Sequence, residues 1–144
     1  MPAHLPERDE RDVKRFRQNV TARFISGESI QQSYIDLEDC WTVVGLYIPA
    51  DWTDANVGFY TTYPLVTGSQ DPTVQVTGAV WQPINEPDSN DMLEILVNPG
   101  EYTYIGPDKL CGCRYLRLWS VDAGMAVSQD AQPATEVIVV VRPI

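Results

Sequence analysis

Between Arg23 and Lys109 the chain contains no lysine and no arginine. A stretch of that length without a cation repels phosphate backbones and anionic lipid head groups, so neither nucleic acid nor a membrane surface is an expected partner. Histidine is almost missing as well, since His4 is the single example. Nucleophilic catalysis by Ser or Cys needs an oriented base, usually His, and a structural zinc needs four ligands. No G-x-S-x-G elbow, phosphate-cradling glycine loop or zinc-helix motif occurs, which removes the commonest hydrolase and nucleotide-binding classes. No run of about 18 apolar residues is present, so no membrane-spanning helix is expected. The opening MPAHLPERDERDVKRFRQ lacks the apolar stretch of a signal peptide, which points to a protein made in the cytoplasm. Cys40, Cys111 and Cys113 are odd in number and imply no disulfide framework. The Cys111-Gly112-Cys113 segment has the form of half a metal knuckle, but with too few further ligands the expectation is buried apolar thiols and no bound metal or cofactor.

The charge that is present is unevenly placed. Of ten basic residues, five (Arg8, Arg11, Lys14, Arg15 and Arg17) lie in residues 1–18, beside only four of the twenty acids. A basic arm ahead of an acidic body suggests that the two meet different partners, the simpler alternative being a solubilising charge and a frayed end. Within the arm, Val13 and Phe16 are the large apolar groups near the basic cluster, too few to fold alone. Residues 19–144 form the expected domain, and a hydrophobic content of 44% is enough for a core.

From residue 19 the hydrophobic period is two. Val20, Ala22 and Phe24 fall on one face and Thr21 and Arg23 on the other, followed by a Ser26-Gly27-Glu28 turn and a returning strand over residues 30–37. Residues 41–48, WTVVGLYI, are apolar at nearly every position, as in a strand covered on both sides, with Trp41 in the core. Val57, Phe59 and Thr61 alternate with Gly58, Tyr60 and Thr62. Residues 64–77 read as a long surface loop and residues 79–84 as a short strand. Residues 93–97 and 102–105 flank the turn Asn98-Pro99-Gly100, a Gly124 connector carries no strong pattern, and residues 137–141 are the most β-prone run. Eight or nine short strands with almost no amphipathic helix predict an all-β protein, a β-sandwich of jelly-roll type with an extended N-terminal arm.

Three groups of side chains could carry function. Paired acids, Asp51 with Asp54 or Asp88 with Asp91 and Glu94, could serve glycoside hydrolysis or calcium, although all lie in or beside turns where Asp bonds its own backbone. Trp52 and Trp81 lie near loops and could stack on sugar rings or anchor the core. In residues 114–121, Leu116 and Leu118 share one face, which places Tyr115, Arg117 and Trp119 on the other. If the leucines face the core, these three face outward, and they are the residue types enriched at protein interfaces. The alternative is that the 64–77 loop covers them.

The segment IDLEDCWTVVGLYIPADWTDANVGFYTT resembles the pattern DLGG…LVGI.MPA.WT.A.LTF of small virion-associated proteins of tailed bacteriophages. CRYLRLWSV, followed by TEVIVVVRPI, is similar to their closing RYLK.RSG and ITLVLR blocks. The resemblance spans residues 19–144 with a diverged middle, and its motifs are packing motifs that carry no catalytic residue. Glu38-Asp39-Cys40 stands where the family pattern has Gly-Gly. It implies a β-sandwich on the virion, of the head decoration (cement) type, with the major capsid protein as partner. We therefore expect no enzymatic activity, a homotrimer, and an interface built from Arg8, Arg11, Lys14, Arg15, Phe16 and Arg17 of the arm with Tyr115, Arg117 and Trp119. A sugar-binding or neck and tail accessory module is the alternative.

Overall fold

The computed structural model describes residues 17–38, 40–62 and 81–144. Ten strands follow in order: β1 (Gln18–Ile25), β2 (Ile35–Asp36), β3 (Trp41–Tyr47), β4 (Asn56–Thr62), β5 (Gln82–Pro83), β6 (Glu94–Ile95), β7 (Tyr102–Tyr104), β8 (Tyr115–Asp122), β9 (Met125–Ala126) and β10 (Ala134–Pro143). They form two antiparallel sheets. Sheet A has the order β1-β10-β3-β7, and sheet B the order β2-β8-β4-β5, with β6 also on β4 and β9 on β8.

The pairing is that of one long hairpin rolled on itself. With the short β6 and β9 set aside, β1 pairs with β10, β2 with β8, β3 with β7 and β4 with β5. Rolling that hairpin lays β10 on β3 and β8 on β4, which is the jelly-roll arrangement. The period-two pattern supplies the driving force. Ala22 and Phe24 of β1, Val57 and Phe59 of β4, Leu116 and Leu118 of β8, and Val137, Val139 and Val141 of β10 are buried between the sheets. Trp41 is half-buried against that core.

Local turn signals are accurate in position but not in what they join. Ser26-Gly27-Glu28 does not close a hairpin; β1 belongs to sheet A and β2 to sheet B, so the turn carries the chain between sheets. The expected strand over residues 30–37 is broken into a bridge from Ile30 to Trp119 and the two residues of β2. Asn98-Pro99-Gly100 likewise separates β6 on β4 from β7 on β3. By contrast the unpatterned Gly124 connector is a tight hairpin, with Ala123 and Gly124 at φ 49° and 81° between β8 and β9. Glu38 adopts φ 54°, the left-handed region that glycine favours. Its N–H donates to Asp36 Oδ1 at 2.9 Å, which helps to hold that conformation.

Candidate interaction surfaces

The outer face of sheet B is set by the β4–β8 register, which pairs Gly58 with Trp119, Tyr60 with Arg117 and Thr62 with Tyr115. Tyr115, Arg117 and Trp119 do lie opposite the core-facing Leu116 and Leu118. They do not stand open to solvent, however: Tyr115 is 0% and Trp119 6% exposed, and Arg117 is half-buried. The reason is a second layer of side chains. The Trp119 indole lies over the bare backbone of Gly58, with the Tyr60 ring 5.0 Å away. Tyr34 meets Tyr115 edge-on at 5.8 Å, and the Arg114 guanidinium sits 5.0 Å over the same ring. Arg117 donates from Nε and Nη2 to the Gln31 carbonyl at 3.2 and 2.6 Å and lies 5.5 Å over the Trp81 ring. The 64–77 segment weighed as a cover lies outside the described residues.

Among the described residues, the exposed aromatics are on the other sheet. On the outer face of sheet A, β3 and β7 align Tyr47 with Tyr102 and Gly45 with Tyr104. Tyr47, Tyr102 and Tyr104 are 43%, 42% and 67% exposed, and the first two rings lie 4.5 Å apart. The Tyr102 ring end covers the Cα of Gly45, so this glycine makes room for it. Arg17, the last residue before β1, donates from Nη2 to the Tyr47 hydroxyl at 3.2 Å. The Arg17 side chain thus reaches the edge of the tyrosine cluster. Arg8, Arg11, Lys14, Arg15 and Phe16 lie outside the described residues.

Sequence reasoning missed this cluster because residues 41–48 read as covered on both sides. That holds for Thr42 to Leu46 and fails at Tyr47. The signal that could have found it is Tyr102-x-Tyr104, two aromatics on one side of a short strand.

The other candidates fall into structural roles. Trp52 is 3% exposed, packs edge-on against Phe24 at 5.3 Å and donates from Nε1 to the Ala55 carbonyl, so it is no platform for a sugar. Trp81 is half-buried beneath Arg117. Asp51 accepts from Thr135 Oγ1 at 2.7 Å. Glu94 clamps the β8–β9 hairpin by accepting from the Ala123 and Gly124 amides at 3.0 Å each, and it also accepts from Asn56. Asp54, Asp88 and Asp91 are exposed. Among the described residues no three His, Cys, Asp or Glu side chains gather as a metal site. The thiols correct the expectation of burial: Cys40 and Cys111 are exposed and only Cys113 is half-buried. Burial pushes the Cys113 thiol up, while a hydrogen bond with Thr61 opposes the shift. Among the described residues no helix is long and apolar enough to cross a membrane.

No known protein family, curated protein or solved structure matches this chain.

Proposed function

We propose that this protein is a structural component of a tailed-phage virion, a decoration protein that binds the outer surface of the major capsid protein and braces the shell. The observation that carries the reading is the open tyrosine cluster Tyr47, Tyr102 and Tyr104, with the Arg17 side chain at its edge. Tyrosines offer large rigid contact area with a polar tip at low entropic cost, which suits a docking face. The two sheets give that face a stiff support, and the resemblance of the packing motifs to virion proteins supplies the context. In this reading the sandwich rests on a capsomer junction as a homotrimer while residues 1–16 run across neighbouring capsid subunits. Their cations pair with acids of the shell, which adds a salt-dependent component. Several linked contacts then act through effective concentration, so separating capsomers must break all of them.

Rebinding to emptied capsids tests this. Replacing Tyr102 and Tyr104 together by serine leaves the melting temperature unchanged and lowers occupancy at least about tenfold, as for an interface anchor. Deleting residues 2–16 does the same and flattens the salt dependence. Full occupancy by both variants at elevated salt sinks the proposal. Copy number on particles separates a shell role, with hundreds of copies, from a neck or tail role, with about a dozen.

A further inference from the structure

We infer that the outer face of sheet A is a cationic docking face whose partner is a carboxylate-rich protein surface. The β1–β10 register fixes which side chains the face carries. Val137, Val139 and Val141 point to the core, so Glu136 and Arg142 stand on the other side of β10. Arg23 lies across from Glu136 on the same side. One step beyond the Gln18–Val141 pair, Arg17 and Arg142 come side by side. The bond from Arg17 to the Tyr47 hydroxyl places its guanidinium on this outer face as well. All three arginines are exposed. The ion pairs among the described residues are Lys109 with Glu86 and Arg114 with Asp36, so no described carboxylate neutralises these three. On a chain of net charge −10, this face sets three arginines against one glutamate, beside the exposed rings of Tyr47, Tyr102 and Tyr104.

Like charges on neighbouring strands repel, and an anion placed against Arg17 and Arg142 turns that repulsion into two charge-assisted bonds. The tyrosines add flat apolar contact with hydroxyl tips, and Arg with Tyr is the composition enriched at protein interfaces. The class of anion follows from the size of the face. Four strands set about 4.8 Å apart make it about 15 Å wide. Duplex nucleic acid carries a charge about every 1.7 Å of its axis, so it runs past that width onto the acidic remainder of the body and is repelled. A folded protein presents separate carboxylates that stop at the edge of the face. The inference rests on the reading of this face as a docking face, not on the identity of the shell, and it fixes the charge of the surface beneath.

The test is a titration of the full-length protein, following the tyrosine ring signals and the Nε–H signals of Arg17, Arg23 and Arg142 by NMR. Three probes of equal length are compared: a blocked peptide alternating glutamate and alanine, its glutamine counterpart, and single-stranded oligothymidylate. The glutamate peptide shifts these signals, and salt at about 0.5 M abolishes the shifts. The glutamine peptide leaves them in place, and the oligonucleotide binds more weakly. Arg17→Gln combined with Arg142→Gln weakens peptide binding at least about tenfold, and Glu136→Gln, another exposed change, tightens it about twofold. Lys109 lies off this face, paired with Glu86 beyond β5 of sheet B, so Lys109→Gln removes the same charge and leaves binding unchanged. Peptide binding by a protein that fails to rebind capsids overturns the shell reading alone and leaves this inference standing. Equal shifts with the glutamine peptide, tighter binding of the oligonucleotide, no shift with any probe, or an equal loss from Lys109→Gln overturns the inference.

Discussion

The two outer faces of the sandwich share a motif and differ in fate. Each has an aromatic ring lying over a strand glycine, Tyr102 over Gly45 on sheet A and Trp119 over Gly58 on sheet B. On sheet A the ring is 42% exposed with exposed tyrosines beside it; on sheet B it is 6% exposed, with Tyr60 against it and the 29–31 segment bonded along β8. An aromatic on the outside of a sheet is therefore a docking group in one place and a second core in the other. What separates them is whether a distant piece of chain crosses the same strand. Along the edge of β8 that also carries β2, the bridge from Ile30 and the bonds of Gln31 and Ser29 bring a further segment against the strand, whereas β7 ends its sheet.

The largest contrast should come from truncating one aromatic on each face. Trp119→Ala is expected to destabilise by about 3 to 5 kcal/mol, as for a buried ring, whereas Tyr104→Ala stays within about 0.5 kcal/mol. Denaturant unfolding measures both, and equal values would erase the distinction between the faces. The next contrast uses the glycines. Neither has a left-handed φ, so a methyl group at either is a purely steric intrusion. Gly58→Ala drives into an indole that is packed in place and should cost about 2 to 3 kcal/mol. Gly45→Ala meets the free end of an exposed ring that can swing aside, so its cost should be under about 1 kcal/mol. A cost at Gly45 as large as at Gly58 would mean that the tyrosine cluster is held as rigidly as the covered face.

The smallest effect is a difference in reactivity just before β8. Cys113 is half-buried and its thiol is raised by desolvation, so near pH 8.5, where an ordinary thiol is about half ionised, less of it is thiolate. Alkylation followed by mass spectrometry should modify exposed Cys40 and Cys111 several-fold faster than Cys113. Raising the pH should narrow the gap, because the slow site then ionises too. Equal rates at the lower pH would show that this end of sheet B is open.

Much of the inner architecture is legible in the amino-acid order alone. Ala22, Phe24, Val57, Phe59, Leu116 and Leu118 could be assigned inward because side chains alternate across a strand and water expels the apolar row. The jelly-roll pairing could be anticipated only as a class, since nothing local says that β1 skips its sequence neighbour and pairs with β10. The site was read less well. Alternation puts Tyr115, Arg117 and Trp119 on the correct side of β8, and of the two readings it leaves open for that side, solvent or cover, the structure shows cover. Tyr47 was hidden inside an apolar run.

The division has one physical cause. Amino-acid order determined which side of each strand a residue occupies, where turns fall, and that a basic segment precedes an acidic body, because these depend on residues a few positions apart. Which sheet each strand joins, and which outer face stays open, was decided only in the tertiary structure. Burial of an outer face depends on segments distant in sequence: Tyr34 and Trp81, both far earlier in the chain, lay rings against β8, whereas among the described residues Arg17 brings only a guanidinium to the Tyr47 hydroxyl and leaves the tyrosines of β3 and β7 exposed.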